Sequence, residues 1–151
     1  MTFKVIFLSL ALLFALSIFG QTRSITGKVI DQDLLPVYEA GIWNVDTLLL
    51  MKTDVAGAFK LEIPVDAKTL IVGSIGMEWK NIDLRDDCSK LEIILLNMAT
   101  YDFISAGKAN RLRKNDFDKL TALHKTAFEK NVFMLGKPYY KDKFVPTKKV
   151  K

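Results

Sequence analysis

The chain has 151 residues, 22 Lys and Arg against 17 Asp and Glu, a formal net charge of +5, one Cys and one His. That length suits one domain with an appendage. A single Cys excludes an intramolecular disulfide, and one Cys with one His cannot hold a structural zinc ion by themselves.

The charge is unevenly spread. Residues 1–20 carry only Lys4. Residues 21–100 carry 8 basic and 12 acidic side chains, a net of −4, and residues 101–151 carry 13 basic and 5 acidic, a net of +8. A mildly acidic middle joined to a strongly basic end predicts a boundary near residue 100.

Met1 to Lys4 is a short positive start, Val5 to Phe19 is apolar apart from Ser9 and Ser17, and the chain turns polar after Gly20-Gln21. This is the pattern of a secretory signal peptide over residues 1–20, with cleavage expected after Gly20. The rival reading is an uncleaved anchor, since about twenty apolar residues can span a bilayer. No Cys lies near the end of the run to carry a lipid. The expected location is outside the cytoplasm: periplasmic, associated with the outer membrane, or extracellular.

Residues 24–96 read as short strands. Ser24 to Ile30 breaks at Asp31-Gln32-Asp33, Gly41 to Val45 turns at Asp46-Thr47, and Leu48 to Lys52 breaks at Thr53 to Gly57. Ala58 to Ile63 alternates, with Phe59, Leu61 and Ile63 on one face. Thr69 to Val72, Met77 to Leu84 and Leu91 to Leu96 complete the set. Strands at about ten-residue spacing predict an all-β sandwich, and no helical period competes with them.

The string Ile25-Thr26-Gly27-Lys28-Val29-Ile30-Asp31, then Leu35-Pro36, then Thr53-Asp54-Val55-Ala56-Gly57-Ala58-Phe59, resembles the carboxypeptidase regulatory-like domain and its Thr-Asp-x-x-Gly-x-Phe pattern. Gly73 to Met77 and Leu91 to Leu95 also fall in that family's order. The resemblance covers about Ile25 to Leu96 and implies a mainly β fold, a seven-stranded Greek-key transthyretin-like sandwich over residues 21–99, of a type common in exported proteins of the Bacteroidetes. The chain departs from the pattern at Val37 to Gly41 and at Met77, where the family has a shorter turn and a tyrosine.

Within that string, Asp54 is suited to accept backbone N–H groups in a turn, Gly57 to take the positive φ that closes it, and Phe59 to enter the core. This structural role is expected over calcium ligation, which needs several more oxygens nearby.

Residues 100–151 read as a basic helical extension. Asn115 and Asp118 suggest a helix start, and Phe117, Leu120, Leu123, Ala127 and Phe128 recur at helical spacing, giving a helix of about fifteen residues that ends before Gly136 and Pro138. A shorter helical piece is open over Ala106 to Lys114. The segment after Pro138 is expected to be extended or loose. His124 falls in the apolar stripe and is expected half-buried at the packing edge. Cys88 sits in a turn with Asp86 and Asp87, whose carboxylates should raise its thiol pKa.

These readings predict no catalytic, cofactor-binding or metal-binding residue, and no cofactor. The expected function is a non-catalytic accessory or interaction module of the cell envelope, with another envelope protein as partner, its sheet edges open to a partner strand. The alternative is a binder of anionic glycolipid or polysaccharide through the basic extension. Nucleic acid is not expected.

Overall fold

The computed structural model describes residues 21–98 and 104–146. The expected leader over residues 1–20, the expected boundary near residue 100 and the last five residues lie outside that set.

Among the described residues seven strands come first: β1 (Thr22–Asp31), β2 (Gly41–Trp43), β3 (Leu49–Lys52), β4 (Ala58–Pro64), β5 (Thr69–Gly73), β6 (Lys80–Leu84) and β7 (Lys90–Leu95). Two helices follow, α1 (Ala106–Asp118) and α2 (Leu120–Glu129), and then a two-residue strand β8 (Tyr140–Lys141). The fold is mainly β, in two sheets. One has the order β4-β1-β7, with β1 antiparallel to β4 and parallel to β7. The other has the order β3-β2-β5-β6-β8 and is antiparallel throughout.

Period-two alternation decides which side chains meet between the sheets. Ile25 and Val29 of β1, Phe59, Leu61 and Ile63 of β4, and Leu91, Ile93 and Leu95 of β7 face inward. Ile42 of β2, Leu70 and Val72 of β5, and Ile82 and Leu84 of β6 close the same core from the other sheet. Each such aliphatic side chain contributes about 1.5–3 kcal/mol on burial.

Three tight turns repeat one device. Asp31, Asn44 and Asp54 each accept, through Oδ1, the backbone N–H groups two and four residues on, at 2.8–3.1 Å. In each turn the residue three places on has a positive φ: Leu34 at 66°, Thr47 at 63° and Gly57 at 71°. The side chain satisfies donors that the tight loop would otherwise leave to water.

The extension does not hang free. Ile30 of β1 and Ile94 of β7 point away from the main core and form a second cluster with Ala127 and Phe133, flanked by Leu34, Leu120, Leu123 and Val132. Helix α2 therefore lies on the outer face of the three-stranded sheet. Glu92 points the same way, is buried, and accepts the backbone N–H groups of Met134 at 2.6 Å and Leu135 at 2.8 Å. The chain then crosses to the other sheet, where β8 pairs with β6 (Asp83 with Lys141, Leu84 with Tyr140). In the segment expected to be extended or loose, Tyr140–Lys141 is thus an extended strand of a sheet.

Helix α1 begins earlier than the Asn115 signal suggests. Ser105 caps it by accepting the N–H of Lys108 at 3.3 Å, and Asn115 lies inside its last turns. No residue of α1 is buried, so it carries no apolar period to read. It is held by the Arg113 guanidinium, which donates to both Glu78 carboxylate oxygens at 2.5 and 3.1 Å, and by the edge contact of Phe117 with Phe144. Lys119 separates the helices while keeping right-handed helical angles. Phe128, assigned to the apolar stripe from its spacing, is 44% exposed: the buried stripe runs through His124 and Ala127 instead.

Candidate functional site

The Thr53-to-Phe59 string builds the corner between β3 of one sheet and β4 of the other. The hydroxyl of Thr53 is buried, donates to the Val37 carbonyl at 2.6 Å and accepts the Ala40 N–H at 2.9 Å, fastening the loop before β2. Asp54 takes the N–H groups of Ala56 and Ala58. Gly57 has no room for a side chain, since a Cβ would stand 2.3 Å from the Val29 carbonyl oxygen. Phe59 enters the core. No oxygen cluster converges on Asp54: among the described residues there is no group of three or more His, Cys, Asp or Glu side chains that could hold a metal ion.

The two residue types a sequence reader would try first as nucleophile or base are both enclosed. Cys88 is buried and its Sγ lies 3.6 Å from the Lys90 carbonyl. Burial is the main force pushing its thiol pKa up, with Asp87 a lesser one, so the expectation based on neighbouring carboxylates named a secondary cause. His124 is not at a packing edge. It is 2% exposed, 4.8 Å from the Phe133 ring centroid, and neither ring nitrogen has a hydrogen-bond partner. Burial holds its pKa below the ordinary imidazole range, so the ring is neutral. It lines a cavity of about 190 Å³ between α2, the outer face of β7 and the Pro138–Asp142 segment.

The outer faces of the two sheets differ. The three-stranded sheet is covered by α2, whereas the five-stranded sheet bears two tryptophans. Trp43 and Trp79 stack with centroids 4.5 Å apart and planes 14° from parallel. Two glycines make room for them: a Cβ on Gly41 would meet the Trp43 ring at 2.1 Å and one on Gly73 the Trp79 ring at 2.6 Å. Gly41 and Gly73 are register partners on β2 and β5, so the rings lie against one shared bare patch of sheet. Trp79 remains 59% exposed, and Leu48 and Leu49, at the start of the edge strand β3, are exposed beside Trp43. The sequence suggested that Met77, Trp79, Ile82 and Leu84 belong to one alternating strand, but β6 starts only at Lys80. Ile82 and Leu84 face the core while Trp79 faces out, and the change of phase between 79 and 82 was the signal available for it.

The sheet edges are also unequal. The Gln21–Val65 and Val29–Gly57 backbone bonds fix which residues of β4 pair with β1, and only Lys60 and Glu62 turn their main-chain groups outward before Pro64. A charged edge ending in proline discourages strand addition. Edge strand β3 has the sequence Leu49-Leu50-Met51-Lys52 and continues the apolar surface.

In the extension, several basic side chains are paired: Arg113 with Glu78, Lys114 with Asp118, Lys119 with Asp116 and Lys125 with Glu129. Outside it, the buried Lys80 ammonium contacts Asp142 at 2.6 Å. Among the described residues no helix is long and apolar enough to cross a membrane. A scan against protein-family models finds no match, and no curated protein matches the chain.

Proposed function

We propose that this chain is a non-catalytic interaction module of the cell envelope, a carboxypeptidase regulatory-like, Greek-key sandwich of transthyretin type, that binds a protein partner through the outer face and β3 edge of its larger sheet. The observation that carries this reading is the asymmetry between the outer faces. The chain's own α2 covers one, and the other keeps a stacked tryptophan pair and exposed leucines. Large aromatic side chains left at a surface are typical anchors of protein interfaces. Over its first seven strands the chain changes sheet after β1, β3, β4 and β6, and again after β7 to reach β8, which supports the Greek-key assignment. The enclosed positions of Cys88 and His124 support a non-catalytic role.

Side-chain pairing along the helices favours this face over the basic extension as the binding surface, because a lysine held by a neighbouring carboxylate is less available to an anionic lipid or glycan. The test compares the full chain with a Trp79→Ser, Leu49→Ser variant in cross-linking and pull-down from envelope extracts. The same protein partner should be captured by the parent and lost by the variant. A partner retained by that variant but lost on charge reversal of Lys130 and Lys137 would assign binding to the extension and overturn this reading.

A further inference from the structure

The outer face of the three-stranded sheet gathers three lysines. Odd-numbered residues of β1, β4 and β7 fill the main core, so their even-numbered neighbours face outward. Helix α2 covers the Ile30 and Ile94 end of that face. Beyond it, the register sets Lys60 of β4 and Lys90 of β7 on either side of Thr26 of β1. Lys28 stands in the next outward row, between Ala58 and Glu92. Thr26, Lys28, Ala58 and Lys90 line a trough of about 250 Å³ that Val132 and Met134, after α2, also border.

These three ammonium groups differ from those of the helices. Among the described residues none of them makes an ion pair. The hydrogen-bond contact of the Lys90 ammonium is to the Met134 thioether at 2.9 Å, a weak acceptor. Glu92 is the carboxylate in the trough, but it is 4% exposed and both its oxygens accept backbone N–H groups. Glu62 bounds the patch on the other side of Thr26, in the row of Ser24. Residues 21–100 carry a net charge of −4, so this cluster has the opposite sign to the module that bears it. Like charges on neighbouring positions of a sheet repel, and a bound acid removes that cost.

The shape selects the form of the acid. The face is open rather than enclosed, which suits a chain and not a small captured anion. Its outward rows repeat every two residues, about 6.6 Å along a strand. An extended polypeptide laid over β1 has the same repeat, so acidic side chains at alternate positions meet successive rows. The charged β4 edge, ending at Pro64, keeps such a segment on the face rather than paired to the edge.

We propose that this face docks an extended acidic segment of a partner protein, with Asp or Glu at alternate positions. One carboxylate enters over Thr26 between Lys60 and Lys90, and the next meets Lys28. The surface is separate from the tryptophan face, which lies on the other sheet.

The test is fluorescence anisotropy of the full chain with a labelled peptide of alternating aspartate and serine. The peptide should bind at low salt and weaken about tenfold or more as salt rises to about 0.5 M. Lys28→Glu with Lys60→Glu should weaken it about tenfold at low salt. If that pair of changes prevents folding, Lys60→Gln, at an exposed position, should weaken it about threefold. Trp79→Ser with Leu49→Ser should bind the peptide as the parent does, so failure here is distinct from failure of the tryptophan face. No binding at millimolar peptide, binding unchanged by the lysine variants, or loss on charge reversal of Lys130 and Lys137 instead would each overturn the proposal. A galacturonate oligomer of equal charge that binds as tightly as the peptide would assign the face to a glycan and overturn it too.

Discussion

The carboxylate of Glu92 receives the backbone N–H of Met134 at 2.6 Å, 42 residues further along the chain. With the second bond to Leu135, this one side chain fixes the turn after α2 against the three-stranded sheet. Glu92→Ala leaves two N–H groups without their charged acceptor in a part-buried setting, and should cost about 3 kcal/mol. Glu92→Gln keeps one acceptor oxygen and should cost about 1 kcal/mol. Urea unfolding gives both numbers, and limited proteolysis of Glu92→Ala should cut first near Met134.

The corner at Thr53 to Phe59 separates three kinds of stabilisation. Thr53→Val preserves shape but strands the Val37 carbonyl and the Ala40 N–H, at about 2 kcal/mol. Asp54→Ala removes two bonds in an exposed turn where water replaces them, at about 1 kcal/mol. Gly57→Val is the most severe, about 3 kcal/mol or more, because a β-branched residue is forced to φ 71° with its Cβ against the Val29 carbonyl. Thermal unfolding of the three variants should give that order. A Gly57→Val protein that melts with the parent would remove the turn argument.

The strands were most legible where an inward alternation survives in the fold, as in β4 and β6, while β3 and β7 were legible only as short apolar runs between turn residues. Phe59, Leu61 and Ile63 are the clearest case, and the observed β4 spans them. Helix α1 was poorly legible for the opposite reason: all its side chains are at least partly exposed, and the Arg113–Glu78 pair that docks it joins residues 35 apart, which no local period reveals. His124 was read as half-buried because helical spacing places it on the stripe but says nothing of Phe133 and the Pro138–Asp142 segment, which close over it from the chain beyond the helix. The tryptophan pair depends on register: Gly41 and Gly73 become neighbours only once β2 and β5 are paired.

His124 also makes stability depend on pH, with a defined sign. Its ordinary pKa is 6.5 and burial lowers it in the folded chain. Below pH 6.5 the unfolded chain takes up a proton that the folded chain refuses, so stability falls as pH drops from about 6.5 towards the folded pKa. The limiting slope for this one group is about 1.4 kcal/mol per pH unit. The groups facing it act in both directions, Glu92 raising its pKa and Lys80 lowering it, and neither reverses the net shift. Urea midpoints between pH 7 and pH 5 should decline in the parent. The decline should be smaller in His124→Phe by the share due to one proton. An identical slope in both proteins would show that His124 is not held neutral.

The stacked pair gives a last test that leaves the core untouched. Two indoles 4.5 Å apart and nearly parallel couple their transitions, so the far-ultraviolet circular dichroism should contain an exciton signal on top of the β spectrum. The chain has only two tryptophans, so Trp79→Phe should abolish that signal. The stability cost should be at most about 1.5 kcal/mol, since Trp79 is more than half exposed and an aromatic pair is worth about that much. Gly73→Ala reaches the same stack from below: its Cβ would stand 2.6 Å from the Trp79 ring, and the ring, at the surface, is free to tilt away. That variant should lose the exciton signal while both tryptophans remain. If Gly73→Ala keeps the full signal, the glycine floor is not what positions Trp79, and the proposed binding face loses its structural basis.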